Sequence, residues 1–159
     1  MVCARSRARR LQQEFAIVNK EGEDEFSAQL QDSNLGFWVV QLRGPKGSPY
    51  ENGTFILHVR FPSNFPLVPP VVTFRTRIYH PNIDRGSGTV AWSLTSKEWS
   101  PCCTMNKNLI TLQNILMEPN PLPECEAEPE IGHEWREKHE LYWQTAKEWT
   151  EKYAMDGQV

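Results

Sequence analysis

The sequence has no apolar run near the roughly 18 residues that a membrane span requires. Its opening, MVCARSRARR, carries charge with no apolar stretch behind it, so a secretory leader is not expected. Cysteine is scarce. Cys3, Cys102, Cys103 and Cys125 are the only four, and two are adjacent, which does not suit a disulfide framework. A reducing intracellular compartment, cytoplasmic or nuclear, is expected instead. Asn52-Gly53-Thr54 then reads as a turn rather than a glycan site. Cys102-Cys103 with His133 or His139 has no recognised zinc spacing, so no metal is expected. Gly86-Ser87-Gly88 is not the Gly-x-Ser-x-Gly of a hydrolase elbow. Internal repeats and low-complexity tracts are lacking too.

Positive charge is in the minority: 17 basic against 20 acidic residues, net −3. It is also unevenly placed. Arg5, Arg7, Arg9 and Arg10 fall in the first ten residues with no acid among them. An acidic chain with one short basic segment does not suit nucleic-acid binding. With 39% hydrophobic and 23% charged residues, disorder throughout is excluded. The 159 residues suit one domain spanning 1–159.

Proline is absent before Pro45 and after Pro129, although the chain holds 12. Both ends are thus open to helix. Ala8, Leu11, Phe15 and Val18 predict a helix from about 5 to 18, followed by a charged loop over 19–25. Four strands are predicted at Phe26–Gln31, Phe37–Leu42, Thr54–Phe61 and Val71–Arg75. In the third, Phe55, Leu57, Val59 and Phe61 share one face, and Ile56, His58 and Arg60 the other. Short connections without helices imply an antiparallel meander with one face needing a cover. Leu109, Leu112, Ile115 and Leu116 predict a central helix with Thr104 as its N-cap, stopped by Pro119-Asn120-Pro121. A short helix around Ile131–Lys138 precedes a last one carrying Tyr142, Ala146, Trp149 and Tyr153. The fold class is α+β.

Residues 79–103 show no sustained periodicity, and loops of that length tend to be functional. Within it, His80 reads as a structural histidine bonding the loop backbone. Asn82 reads either as a turn residue or as an amide donor to a developing oxyanion.

Tyr79-His80-Pro81-Asn82-Ile83 followed by Trp99-Ser100-Pro101 resembles the signature of ubiquitin-conjugating enzymes. Gly44-Pro45, Ser48-Pro49-Tyr50, Gly53-Thr54-Phe55, Phe61-Pro62, Phe65-Pro66, Pro69-Pro70, Pro119-Asn120-Pro121 and the ending Glu148–Ala154 follow in the family's order. The resemblance runs from about Arg7 to Met155. It implies a four-stranded antiparallel meander with an N-terminal, a central and two C-terminal helices. It also implies an enzyme that takes ubiquitin from an activating enzyme as a cysteine thioester and passes it to a substrate lysine with a ligase. No cofactor is implied, because ATP is used by the activating enzyme. A monomer acting without nucleic acid or membrane is the family default.

The family's nucleophilic cysteine falls where this sequence has Ala91, after Gly88-Thr89-Val90. Alanine offers no nucleophile, so the chain is expected to be inactive. By position, Asn82 matches the asparagine that stabilises the oxyanion or orders the loop, and Tyr79 an aromatic beside the incoming lysine. Ser93 stands where many members have aspartate. Glu124 or Glu126, in an acidic loop about two residues longer than usual, is a candidate for the lysine-positioning acid. Arg9, Arg10, Gln13, Leu67, Val68, Ser100, Pro101 and Cys102 match positions that face ligases or the activating enzyme. Ile110 and Asn114 match the face that packs the carried ubiquitin. Cys102 and Cys103 are expected to be small buried hydrophobes, Cys3 an exposed bystander, and Cys125 a possible surrogate thiol near the site. Three readings stay open: a cysteine-to-alanine inactivated enzyme, a natural inactive variant that binds ubiquitin or a partner noncovalently, or a conjugator of another ubiquitin-like modifier.

Overall fold

The computed structural model describes residues 3–91 and 99–155. The elements run α1 (Ala4–Glu21), β1 (Phe26–Gln31), β2 (Asn34–Arg43), β3 (Thr54–Arg60), β4 (Val71–Phe74), α2 (Met105–Met117), a short 3-10 turn (Pro123–Cys125), α3 (Pro129–Glu137) and α4 (His139–Tyr153). The strands form one antiparallel sheet in the order β1-β2-β3-β4. This is the α+β meander that the patterning implies.

The core lies on one face of the sheet. Trp38, Val40 and Leu42 of β2 and Phe55, Leu57 and Val59 of β3 are buried with Leu11 and Val18 of α1 and Leu109 and Leu112 of α2. Period two thus faces the covering helices, as expected for a half-covered antiparallel sheet. Ile56, expected outside, is buried as well, but it is not a member of the core cluster. The segment after β4 pairs with it: Arg75 N–H donates to Ile56 O, and Ile56 N–H donates to Thr76 Oγ1 at 2.8 Å.

β3 and β4 each end one residue earlier than expected, at Arg60 and Phe74, and two boundaries differ by three residues. Helix α1 continues to Glu21 rather than ending near 18. Asn19, in its last turn, accepts Ala28 N–H at 2.8 Å and donates to Ala28 O at 3.1 Å, so its amide stands in for the missing neighbour of edge strand β1. Strand β2 starts at Asn34, not Phe37, because Asp32 and Ser33 both adopt positive φ (51° and 60°) and make a two-residue hairpin turn without glycine.

Helix α2 begins as anticipated, with Thr104 Oγ1 accepting Lys107 N–H. A second partner at this end comes from α1. The buried Glu14 carboxylate accepts Met105 N–H at 3.3 Å and Arg10 Nε–H at 2.9 Å. Glu14 lies three residues after Leu11 and four before Val18, inside the apolar stripe.

At the other end, α4 packs its terminus on the sheet. Thr54 N–H donates to Ala154 O at 2.9 Å. The buried Tyr50 hydroxyl donates to Tyr79 O at 2.6 Å and meets the Tyr142 hydroxyl at 2.8 Å. One phenol therefore joins the loop after β2, the segment after β4 and α4.

Candidate active site

The site is built where the chain leaves β4. Phe74 N–H donates to Gly88 O at 2.8 Å, and Thr73 bridges Thr89, so the segment ending at Ala91 runs back along the edge of β4. Only glycine serves at position 88. Its φ is +77°, and a Cβ there would stand 1.9 Å from Phe74 O. Further bridges pair His80 with Ile83 and Ile83 with Val90. Ala91 N–H then donates to Asn82 O at 2.8 Å, which seats the half-buried Ala91 beside the His80-Pro81-Asn82 turn.

The turn is held by its own side chains. His80 is fully buried. Its Nδ1 accepts Asn82 N–H at 3.0 Å, and its Nε2 donates to Ile115 O of α2 at 2.8 Å. Those partners fix the tautomer with the proton on Nε2. Burial drives its pKa down to about 4, opposed only by the bond to Ile115. The imidazole is therefore a neutral brace between loop and helix.

Asn82 is also fully buried, and its amide is fully used. Nδ2 donates to Cys125 O at 2.7 Å and to Asn120 O at 3.0 Å, while Oδ1 accepts Asn120 N–H at 2.8 Å. Of the two readings of Asn82, this geometry is that of loop ordering. Both amide hydrogens point at backbone carbonyls of the segment after α2, and Pro81 O accepts Ala127 N–H and Glu128 N–H beside them.

Tyr79 is buried. It packs on Tyr142 and Trp149 of α4. Its hydroxyl lies 3.0 Å from both carboxylate oxygens of Glu134. Burial, then the Glu134 hydrogen bond and charge, push its pKa up to about 12. Ser93 lies outside the described residues. Of the two acidic candidates, Glu126 pairs with Arg136 at 3.4 Å, whereas Glu124 is exposed and has no ion pair among the described residues. Arg85 adds a further tie to α3, at 3.2 Å from Glu128 and 3.9 Å from Glu130. Cys125 is buried, but what it offers Asn82 is its carbonyl.

A second surface gathers α1, the loop 61–70 and the loop 99–104. Arg7 donates to Phe61 O and Pro62 O, Trp99 Nε1 donates to Pro66 O at 2.8 Å, and Arg10 Nη2 donates to Cys103 O at 2.8 Å. Arg9, Gln13, Leu67, Val68, Pro101 and Cys102 are exposed around these ties, with Ser100 half-buried. Arg10 differs from the others: it bonds Glu14, holds Cys103 O and lies over the Phe65 ring, so it faces inward. The expectation of buried Cys102 and Cys103 is corrected as well. Cys102 is exposed and Cys103 half-buried, because Cys103 N–H closes a surface turn onto Ser100 O at 3.0 Å. Ile110 and Asn114 sit one turn apart on the exposed side of α2. Sequence reasoning missed Glu14 and Glu134 and assigned no role to Tyr50 or Asn120; the bonds Glu14–Met105, Tyr50–Tyr79, Asn120–Asn82 and Glu134–Tyr79 each join residues far apart in the chain.

The family model for ubiquitin-conjugating enzymes matches residues 10–150, from within α1 to within α4. The chain belongs to the ubiquitin-conjugating enzyme family. Among solved structures, it is similar to a Plasmodium yoelii protein assigned as a ubiquitin conjugating enzyme, at 36% identity and a TM-score of 0.84, covering 91% of this chain and 93% of that one. It is likewise similar to the E2 domain of a Toxoplasma gondii ubiquitin conjugating enzyme, at 35% identity and a TM-score of 0.85, covering 93% and 99%. Membership of the ubiquitin-conjugating family gives the two surfaces a frame. The matched stretch includes the buried turn carrying Asn82 and its neighbour Ala91.

Proposed function

We propose that this chain is the core of a ubiquitin-conjugating enzyme in which Ala91 stands in place of the thioester-forming cysteine. The observation that carries the reading is the seat of Ala91: half-buried and bonded through its N–H to Asn82 O, at 2.8 Å. A thiolate at this position would attack the thioester carbonyl of ubiquitin held by an activating enzyme and expel that enzyme's thiolate. A substrate lysine amine would then attack the new thioester and expel the position-91 thiolate, leaving an isopeptide bond. A methyl group has no electron pair to start this sequence. The surrounding residues keep their parts. Asn82 orders the loop, His80 braces it against α2, the Tyr79 ring flanks the approach of the lysine, and the exposed Glu124 is the acid able to meet an incoming ammonium. No cofactor is assigned to this chain, since ATP is consumed at the activating enzyme.

The exposed surface of Arg9, Gln13, Leu67, Val68, Pro101 and Cys102 is the docking face for the activating enzyme and a ligase. Ile110 and Asn114 pack the carried ubiquitin or ubiquitin-like modifier. The chain acts as a monomer in the cytoplasm or nucleus, in transient complexes with these proteins and a substrate. Intact bonding around a residue without a nucleophile favours a cysteine-to-alanine inactivated enzyme. A natural variant that binds noncovalently is the second reading, supported by a docking face built without the residue at 91. The codon at position 91 in the gene separates the two.

The test is Ala91→Cys incubated with activating enzyme, ubiquitin and ATP. A reductant-sensitive adduct one ubiquitin heavier is expected, and none with the chain as it stands. If Ala91→Cys takes up neither ubiquitin nor a related modifier, the enzymatic reading fails. If the unaltered chain charges, Cys102, Cys103 or Cys125 carries the thioester and Ala91 is misplaced.

A further inference from the structure

The turn at Ser100–Cys103 holds two adjacent thiols at the surface, and the conjugation chemistry uses neither. Ser100 Oγ lies 3.0 Å from Cys102 Sγ and 3.6 Å from Cys103 Sγ, so both sulfurs face one hydroxyl on the same side of the turn. Cys102 is exposed, and its neighbour is half-buried behind it. An exposed thiol backed by a second one is the arrangement in which oxidation of the first is resolved by the other. We propose that Cys102 and Cys103 form a peroxide-oxidised modification site that closes as an intrachain disulfide.

In the first step the Cys102 thiolate attacks one oxygen of hydrogen peroxide. The O–O bond breaks, hydroxide leaves, and Cys102 becomes a sulfenic acid. The Cys103 sulfur then attacks the Cys102 sulfur, and the hydroxyl departs as water with the Cys103 proton. Together the two thiols lose two electrons, and the peroxide becomes two waters. Adjacency also makes the bond easy to reverse. Neighbouring Cα atoms are about 3.8 Å apart across a trans peptide, below the roughly 4.4–6.8 Å of ordinary disulfides. A disulfide strained in this way is readily reduced.

The site has a structural outlet. The peptide between the two cysteines carries the N–H that closes the turn onto Ser100 O, and the next carbonyl, Cys103 O, is held by Arg10 at 2.8 Å. Ring closure therefore strains the link between the 99–104 loop and α1. Any effect on a ligase rests on the docking reading given above; the oxidation itself does not.

The experiment treats the full chain with hydrogen peroxide and measures intact mass and mapped peptides. The expected product is two hydrogens lighter, with the loss mapped to the peptide holding Cys102 and Cys103. It should revert with dithiothreitol, persist in Cys3→Ser and vanish in Cys102→Ser and Cys103→Ser, each checked for a native circular dichroism spectrum. A Cys102 carrying two oxygens, a disulfide-linked pair of chains, or two unmodified thiols would each overturn the proposal. Binding of a ligase domain before and after oxidation, read separately, tests the docking face alone.

Discussion

Replacing Asn82 by alanine tests whether the signature asparagine is a clamp or a donor held in reserve. The substitution removes three hydrogen bonds: to Cys125 O at 2.7 Å, to Asn120 O at 3.0 Å and from Asn120 N–H at 2.8 Å. The Cys125 carbonyl is buried and loses the bond from the amide, at a cost of about 2 kcal/mol. The two Asn120 groups are part-buried and can recover water, so about 1 kcal/mol each is appropriate. The expected loss is thus about 4 kcal/mol, a large part of the roughly 5–15 kcal/mol that holds a domain together. Urea unfolding followed by tryptophan fluorescence reads it directly. With a slope near 2 kcal/mol per molar, the midpoint should fall by about 2 M without a change of slope. Because Ala91 supplies no thiol, the measurement on this chain reports structure with no contribution from catalysis. A loss below about 1 kcal/mol would refute the clamp. If the same substitution on an Ala91→Cys background then slowed transfer by about 10²–10³-fold, the amide would be an oxyanion donor after all.

Stability should fall as pH is lowered through the histidine range. Folded His80 takes its proton near pH 4 and the unfolded chain near 6.5, so between these values the unfolded state binds more protons. About 2–3 kcal/mol should be lost between pH 7 and 4.5 in urea titrations, and a flat profile would contradict the neutral brace. Glu14→Gln keeps the shape but not the charge that Arg10 meets; a loss of about 2 kcal/mol in the same assay is expected, and no loss would show that Arg10 is satisfied elsewhere. Gly88→Ala places a methyl 1.9 Å from Phe74 O at φ +77°, and should yield little soluble folded protein by size-exclusion chromatography. Ala91→Cys should shift the thermal midpoint by no more than the equivalent of about 1 kcal/mol, since neither the sulfur nor the methyl is needed for a bond. A larger penalty would mean that the site has been repacked around alanine, which favours the natural inactive variant.

The strands were legible because the covering helices lie on one side, which imprints period two on Phe55, Leu57 and Val59. The helices were legible from period 3.6 and from the prolines that bound them. The misreadings share a cause. Asn19 reads as part of a charged loop, Arg10 as a docking residue and Glu14 carries no reading, but each meets a group placed there by the tertiary fold: Ala28 nine residues on, Met105 and Cys103 more than ninety residues on. No local pattern encodes such a pairing. The Asp32-Ser33 turn escaped because the positive-φ pair holds no glycine. Of the site, His80 reads from the sequence as a histidine bonding its own loop; Nδ1 does so through Asn82 N–H, while Nε2 reaches Ile115 O of α2 instead. The bonds of Asn82 were not legible, because Asn120 and Cys125 lie 38 and 43 residues away along the chain.

Those placements bear on what a residue at position 91 must do. Among the described residues, every tie that shapes the site is made by something other than its side chain. His80 reaches Ile115, Asn82 reaches Asn120 and Cys125, Pro81 O takes Ala127 and Glu128, and Ala91 contributes only its backbone N–H. The scaffold is therefore complete before any nucleophile is present. A thiol added there enters a frame whose buried polar groups at His80 and Asn82 already have partners, so it has no structural duty to compete with its reactivity. The same independence means that exchanging alanine and cysteine at position 91 would relieve no strain and remove no brace.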